Sequence, residues 1–178
     1  MSTQTLHDGE FLKLKRERHW EYVQRQKSTG AGFIVAMTNQ KELVLVEQYR
    51  IPLGKRVIEL PAGIIGDSDD TREESAEASA LRELEEETGF RGTHTQRLCS
   101  GPVAAGMTNE MGYFTRVSGL QRIGEGGGVD GEDITVHVVP LSRLLLWMER
   151  QRQKGLLVDP RIYIALYFLQ NPTSSDLS

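Results

Sequence analysis

Read for hydrophobic periodicity, the chain opens with two segments, 10–16 (EFLKLKR) and 19–26 (HWEYVQRQ). Both mix β-forming and polar residues and predict a small antiparallel unit. AGFIVAMTNQKELVLVEQYR follows, two apolar runs separated by Thr38-Asn39-Gln40-Lys41, the pattern of a hairpin. VIELPAG at 57–63 predicts another strand running into a loop. That loop, GDSDDTREES, is rich in turn formers and acid and contains Thr71-Arg72-Glu73-Glu74. The Thr71 and Glu74 spacing is that of a capping box, in which the two side chains satisfy free backbone donors reciprocally. A helix is therefore expected from near Arg72 to Thr88, with Gly89 as its left-handed stop. Three more β-like runs lie around 94–99, 111–117 and 134–140, separated by Gly-rich loops at 101–106 and 124–131. Two helical patterns close the chain, 141–155 and 159–171, the second with Asp159 as cap and Pro160 at its first position. The tail NPTSSDLS is expected to be loose, and no internal repeat is present.

Composition narrows the class. With 178 residues, 38% of them hydrophobic, one well-filled domain is expected. The formal net charge is -4, and basic residues are scattered apart from KLKRERH at 13–19. A nucleic-acid surface needs concentrated positive charge, so no nucleic-acid partner is expected, and the short basic run reads as a solvated strand edge. The single cysteine, Cys99, cannot form an intrachain disulfide, there is no 18-residue apolar run, and, with no positively charged start leading into an apolar stretch, no secretion signal is expected. These features lead us to expect a cytoplasmic protein without membrane partners.

The stretch LRELEEETGF at 81–90 is the chemically informative one. On a helix, Glu83, Glu86 and Glu87 stand at i, i+3 and i+4 and share a face. Like charges at that spacing repel by roughly a few tenths of a kcal/mol per pair, and acid in a last turn opposes the helix dipole at about 0.3–1 kcal/mol each. Such a face is either a solvated helix side or a site for a hard, oxygen-seeking cation; magnesium typically takes one or two carboxylates and leaves its other positions to water and phosphate.

The wider segment resembles the Nudix box: Glu74, seven residues, Arg82-Glu83-Leu84, Glu86-Glu87 and Gly89-Phe90. There are two departures. The box's first glycine falls at Ser68, with Gly63 five residues earlier, so the loop GDSDDTRE looks like an insertion; Phe90 replaces the usual aliphatic residue. The resemblance implies a Nudix-type α/β/α sandwich with a mixed sheet and a small N-terminal antiparallel β unit. It also implies a pyrophosphohydrolase using magnesium or manganese. Glu83, Glu86 and Glu87 would hold metal, the Gly63 backbone would lie against metal or phosphate, Arg82 would orient the cluster, and Glu74 would shape the loop.

Outside the box, VEQYRIPL (46–53), VIELPAG (57–63) and GGGVDGEDITVHVVPL (126–141) are similar to the branch that hydrolyses ADP-ribose and nucleotide sugars. This similarity implies that Arg50 binds the diphosphate, a task suited to a guanidinium fork. Glu47 beside it joins the substrate site; the less favoured alternative is a surface ion pair of the two. Glu110 matches a glutamate near the sugar, or is a solvated loop acid. In GEGGGVDGED, the glycines imply either a slack connector or a chain that moves or approaches a ligand closely. Glu132 is the favoured proton acceptor or metal ligand over Asp130 and Asp133, with Glu86 and Arg82 completing the catalytic set. Trp20 either stacks on a nucleobase or packs on the core; Trp147 is core or dimer contact; His137 is structural. The expected organisation is 1–28 as a dimer-forming β unit, 29–171 as the hydrolase domain and 172–178 as tail, in a homodimer acting on a small nucleotide sugar. The rival readings are a Nudix enzyme for another diphosphate, such as a nucleoside triphosphate, a dinucleoside polyphosphate or coenzyme A, and a non-catalytic nucleotide-sugar-binding module.

Overall fold

In the computed structural model, residues 3–28, 30–66, 73–129 and 131–171 are described. The N-terminal unit has three strands, β1 (Gln4–Asp8), β2 (Leu12–Glu17) and β3 (Trp20–Arg25), all antiparallel. Its first strand, QTLHD, escapes the sequence pattern because it is mostly exposed and carries almost no apolar alternation. The unit is tied to the rest of the protein where the Val23 N–H donates to the Met107 carbonyl, at 2.8 Å.

The two apolar runs form β4 (Gly30–Ala36) and β5 (Glu42–Arg50). They are not the hairpin that the turn suggests. The turn closes with Thr38 N–H on the Glu42 carbonyl (2.9 Å) and one Met37–Leu43 bridge, and the strands then part into different sheets. β4 joins β7 (Ala62–Ile65), β10 (Met111–Ser118) and β9 (His94–Pro102); β5 joins β12 (Ile134–Pro140), β6 (Lys55–Glu59) and β13 (Leu157–Val158). Parallel pairs, β4 with β10 and β6 with β13, make both sheets mixed. The remaining short strands, β8 (Phe90–Arg91) and β11 (Gln121–Arg122), pair with each other.

Strand alternation explains the parting. Along β4 and β5, Phe33, Val35, Leu43 and Leu45 point into one core with residues of α2 (Leu144–Gln153) and α3 (Arg161–Gln170). Ile34, Ala36 and Val44 point into a second core with Ala80 and Leu84 of α1 (Ala76–Thr88). Strands apolar on both faces need cover on both, and helices supply it, giving the expected α/β/α sandwich. Trp147 of α2 packs against the first core, its ring edge-on to His137 at 5.1 Å.

The acidic helix starts later than the capping-box spacing suggests. Ser75 is its N-cap, its hydroxyl accepting the Ala78 N–H at 3.1 Å, while Thr71 and Arg72 lie outside the described residues. Glu74, just before the cap, is held by Arg82, which donates to both of its oxygens, at 3.2 and 3.1 Å. The helix end is as expected: Gly89 takes φ 69° and its N–H returns to the Glu85 carbonyl at 2.9 Å. The 141–155 pattern divides into a 3-10 turn, Leu141–Arg143, and α2, and Asp159 accepts the Arg161 N–H at 2.8 Å, as a cap would. The expected loose tail, 172–178, lies outside the described residues, and no described helix is long and apolar enough to cross a membrane.

Candidate active site

Helix α1 lies against β7, and the contact is possible because Gly63 has no side chain: a β-carbon there would overlap the Glu83 carboxylate. Glu87, one turn further, is 5% exposed, and one of its oxygens accepts the Ala62 N–H at 3.0 Å. Burial pushes its carboxyl up to about 8, the negative charges of Glu83 and Glu132 adding to the effect and the Ala62 N–H and Arg50 opposing it. Glu87 is thus less solvated than a shared exposed helix face would make it. Arg82 holds the cluster from its other side, with Nη1 at 2.9 Å from Glu83 and 3.0 Å from Glu86 while Nε and Nη2 grip Glu74.

The glycine-rich loop closes over the end of α1. Gly127 and Gly128 donate their N–H groups to the carbonyls of Glu87 (2.9 Å) and Glu86 (3.2 Å), and Ile123 and Gly124 to that of Gly89 (2.8 and 3.2 Å). These are carbonyls that a helix end leaves without intrahelical partners. Gly126 has φ 73°, and a β-carbon on it would overlap the backbone of Glu87 and Thr88. Between the two prior readings of the glycines, close approach therefore accounts for them, the surface approached being the helix itself. The same loop delivers Glu132, whose carboxylate accepts the Val129 N–H at 3.2 Å and faces the α1 acids.

One cavity of about 350 Å³ gathers Arg50, Gly63, Arg82, Glu83, Glu86, Glu87 and Glu132. A second, of about 450 Å³, shares Arg50 and the Ala62–Ile64 strand with it and adds Glu59, Glu110, Arg25 and Arg161. Acid and arginine thus line one continuous trough. Arg50 is paired with Glu59, at 2.7 Å, rather than with Glu47. Glu110 pairs with Arg25 at 2.6 Å.

The structure does not bring every expected residue to this trough. Glu47 points to the other face of β5 from Arg50, where it bonds Arg56 (2.6 Å) and His137 (3.0 Å), and these bonds, outweighing burial, hold its carboxyl below the usual range. His137, bonded to Glu47 and packed against Trp147, lines neither cavity. Asp133 pairs with Arg56 at 2.6 Å, and Asp130 lies outside the described residues. Trp20 is 52% exposed on β3, so it is not packed on the core, and it lines neither cavity.

Residues 28–159 match the NUDIX domain family. The chain belongs to the Nudix family. It is 34% identical to the methanol dehydrogenase activator of Bacillus methanolicus over 143 residues, 79% of this chain and 72% of that protein. It is 29% identical to the ADP-sugar pyrophosphatase of Mus musculus, over 91% of this chain and 83% of that one. A crystal structure titled ADP compounds hydrolase superposes with a TM-score of 0.71 at 18% identity, covering 96% of this chain and 90% of the other, a likeness of fold.

Among the described residues of this Nudix chain, no three His, Cys, Asp or Glu side chains converge tightly enough to form a finished metal cage. Arg82 occupies oxygens of Glu83 and Glu86. The donor chemistry nevertheless fits a divalent, oxygen-seeking ion: the carboxylates of Glu83, Glu86 and Glu87 share one cavity, and a cation there would offset both the burial of Glu87 and the smaller repulsion from Glu83 and Glu132. Sequence reasoning missed Glu59 and Arg161. Glu59 was visible as a lone acid in the apolar run VIEL, and it is 7% exposed; Arg161 gave no such signal.

Proposed function

We propose that this Nudix protein hydrolyses the pyrophosphate bond of ADP-ribose or of a related nucleoside diphosphate sugar, releasing a nucleoside monophosphate and a sugar phosphate. The observation that carries the reading is the trough in which the α1 carboxylates and Arg50 face the same cavity. A diphosphate resists attack because its oxygens are anionic, so a site for it must combine bound cation and guanidinium. The names of similar proteins, the ADP-sugar pyrophosphatase of Mus musculus among them, support the same substrate class.

Magnesium is the ion we assign, with manganese suited to the same donors; Glu83, Glu86, Glu87 and the Gly63 backbone would hold it. Bound there, a divalent ion supplies neutralisation of phosphate charge and a more acidic water. Arg50 would grip the diphosphate through its fork, and Arg82 would keep the carboxylates aligned. Glu132 would accept the proton of the attacking water, whose oxygen forms the new P–O bond as the bridging P–O bond breaks toward the leaving phosphate. Glu110 would meet the sugar from the second cavity. The unit 1–28 would pair two subunits over the hydrolase domain 29–171 in a cytoplasmic homodimer, where the exposed ring of Trp20 is free to stack on a base. Glu47, turned toward His137, has no part in this scheme.

The test is a panel of ADP-ribose, UDP-glucose, GDP-mannose, a nucleoside triphosphate and coenzyme A with magnesium, and chromatography of the products. Monophosphate and sugar phosphate from any of the first three support the reading. Turnover of only the last two, or binding without turnover, overturns it.

A further inference from the structure

Beyond the cluster on α1, a second chain of charges runs under the trough. Arg50 donates from Nε to Glu59 at 2.7 Å. The other Glu59 oxygen lies 4.0 Å from Nη2 of Arg161. Arg161 is in turn fixed by Asp159, which takes Nε at 2.9 Å and the backbone N–H at 2.8 Å, and its guanidinium lies 4.4 Å from the centre of the Phe33 ring. The Asp159 N–H donates to the Ile58 carbonyl at 2.9 Å, so the far end of the chain is anchored to β6, the strand that carries Glu59.

Glu59 is an expensive residue to keep in an apolar strand. Its side chain is 9% exposed, and burial outweighs the pull of Arg50 and holds its carboxyl above the usual range. A residue kept only for stability at this position would be apolar, because an ion pair this buried rarely repays its desolvation. What the pair does achieve is geometric: with Nε bound to Glu59, the rest of the Arg50 guanidinium is left at the junction of the two cavities.

We propose that Glu59 is a positioning residue for the reaction, braced by Arg161 and acting through Arg50, which it holds in the orientation that receives the substrate diphosphate. This inference rests on the hydrolase reading above. Glu59 itself need not touch substrate: one oxygen is bonded to Arg50 and the other faces Arg161.

A double-mutant cycle tests it, using wild type, Glu59→Gln, Arg50→Ala and the combination, with KM and kcat for ADP-ribose measured in magnesium. Glu59→Gln is expected to raise KM roughly tenfold and to change kcat about threefold or less, the loss of one charge-assisted contact to a binding group. On the Arg50→Ala background the same change is expected to shift KM by about twofold or less, since the group it positions is gone. Glu59→Asp, too short to keep the 2.7 Å contact, should fall on the side of Gln and carries the cycle if Glu59→Gln does not fold. An unchanged KM in the single variant, or an equal loss on both backgrounds, overturns the inference; the latter would mean that Glu59 meets the ligand directly. If wild type turns over no diphosphate of the panel, the hydrolase reading falls by itself, and the cycle is read on the Kd for ADP-ribose in magnesium. Absence of binding as well overturns both.

Discussion

Replacing Glu87 by Gln separates function from stability by sign. The side chain is buried against β7, and its carboxyl is pushed from near 4.5 up to about 8. Folded protein therefore holds a proton that the unfolded chain has surrendered. Wild type carries no penalty from this group below about pH 4.5 and loses stability progressively as pH rises through about 8. At about 1.4 kcal/mol per pH unit, the interval from 4.5 to neutrality amounts to about 3 kcal/mol. Gln cannot ionise, and its amide oxygen still accepts the Ala62 N–H. In EDTA at pH 7 the variant should therefore melt above wild type, by roughly 5–10 °C for a chain of this size. The gap should close below pH 4.5, where the unfolded wild-type chain is protonated as well. With magnesium the order of activity is the reverse: loss of one carboxylate from the site should lower ADP-ribose turnover by roughly a hundredfold or more. Calorimetric melting across pH 4–9, beside an initial-rate assay, reads both. A variant less stable than wild type in EDTA at pH 7, or one that keeps full turnover, refutes the reasoning.

Three further outcomes follow from the same geometry. Gly126→Ala forces a β-carbon onto the helix backbone at φ 73°, and should destabilise the fold by about 1–3 kcal/mol, read by denaturant midpoint. Glu47→Gln should leave KM and kcat within about threefold while weakening the Arg56 and His137 contacts and so lowering the melting temperature; a collapse of turnover would place Glu47 in the reaction. Glu132→Gln should lower kcat by roughly a hundredfold with KM little changed, the behaviour of a proton acceptor; the same loss from Asp130→Asn, with Glu132→Gln silent, would move that role along the loop.

What was legible in the sequence was what local chemistry determines. The i, i+3, i+4 carboxylates, the Gly89 stop and the apolar runs of β4 and β5 carry their own signals, and Glu83, Glu86 and Glu87 share one cavity with Arg50 and Glu132. The features that went unread depend on partners distant in sequence. The Thr38–Lys41 turn looks like a hairpin because it is one for a single bridge; only the need to cover both faces of each strand sends β4 and β5 to different sheets. The helix start was misplaced because Ser75, not the Thr71 of the box spacing, caps it, and the ion pair of Glu74 with Arg82 links residues eight apart. The glycines at 126–128 look slack until the helix end they close is in view. Glu47 is the exception: strand alternation alone puts it opposite Arg50, so its displacement from the trough was available from the sequence.

The most direct test of the account is chromatography of ADP-ribose incubated with the purified protein in magnesium and, in parallel, in EDTA. The account predicts AMP and ribose 5-phosphate in equal amounts in magnesium and intact ADP-ribose in EDTA. Equal turnover in EDTA would contradict the role given to the α1 carboxylates, and intact ADP-ribose in both would contradict hydrolysis of this substrate.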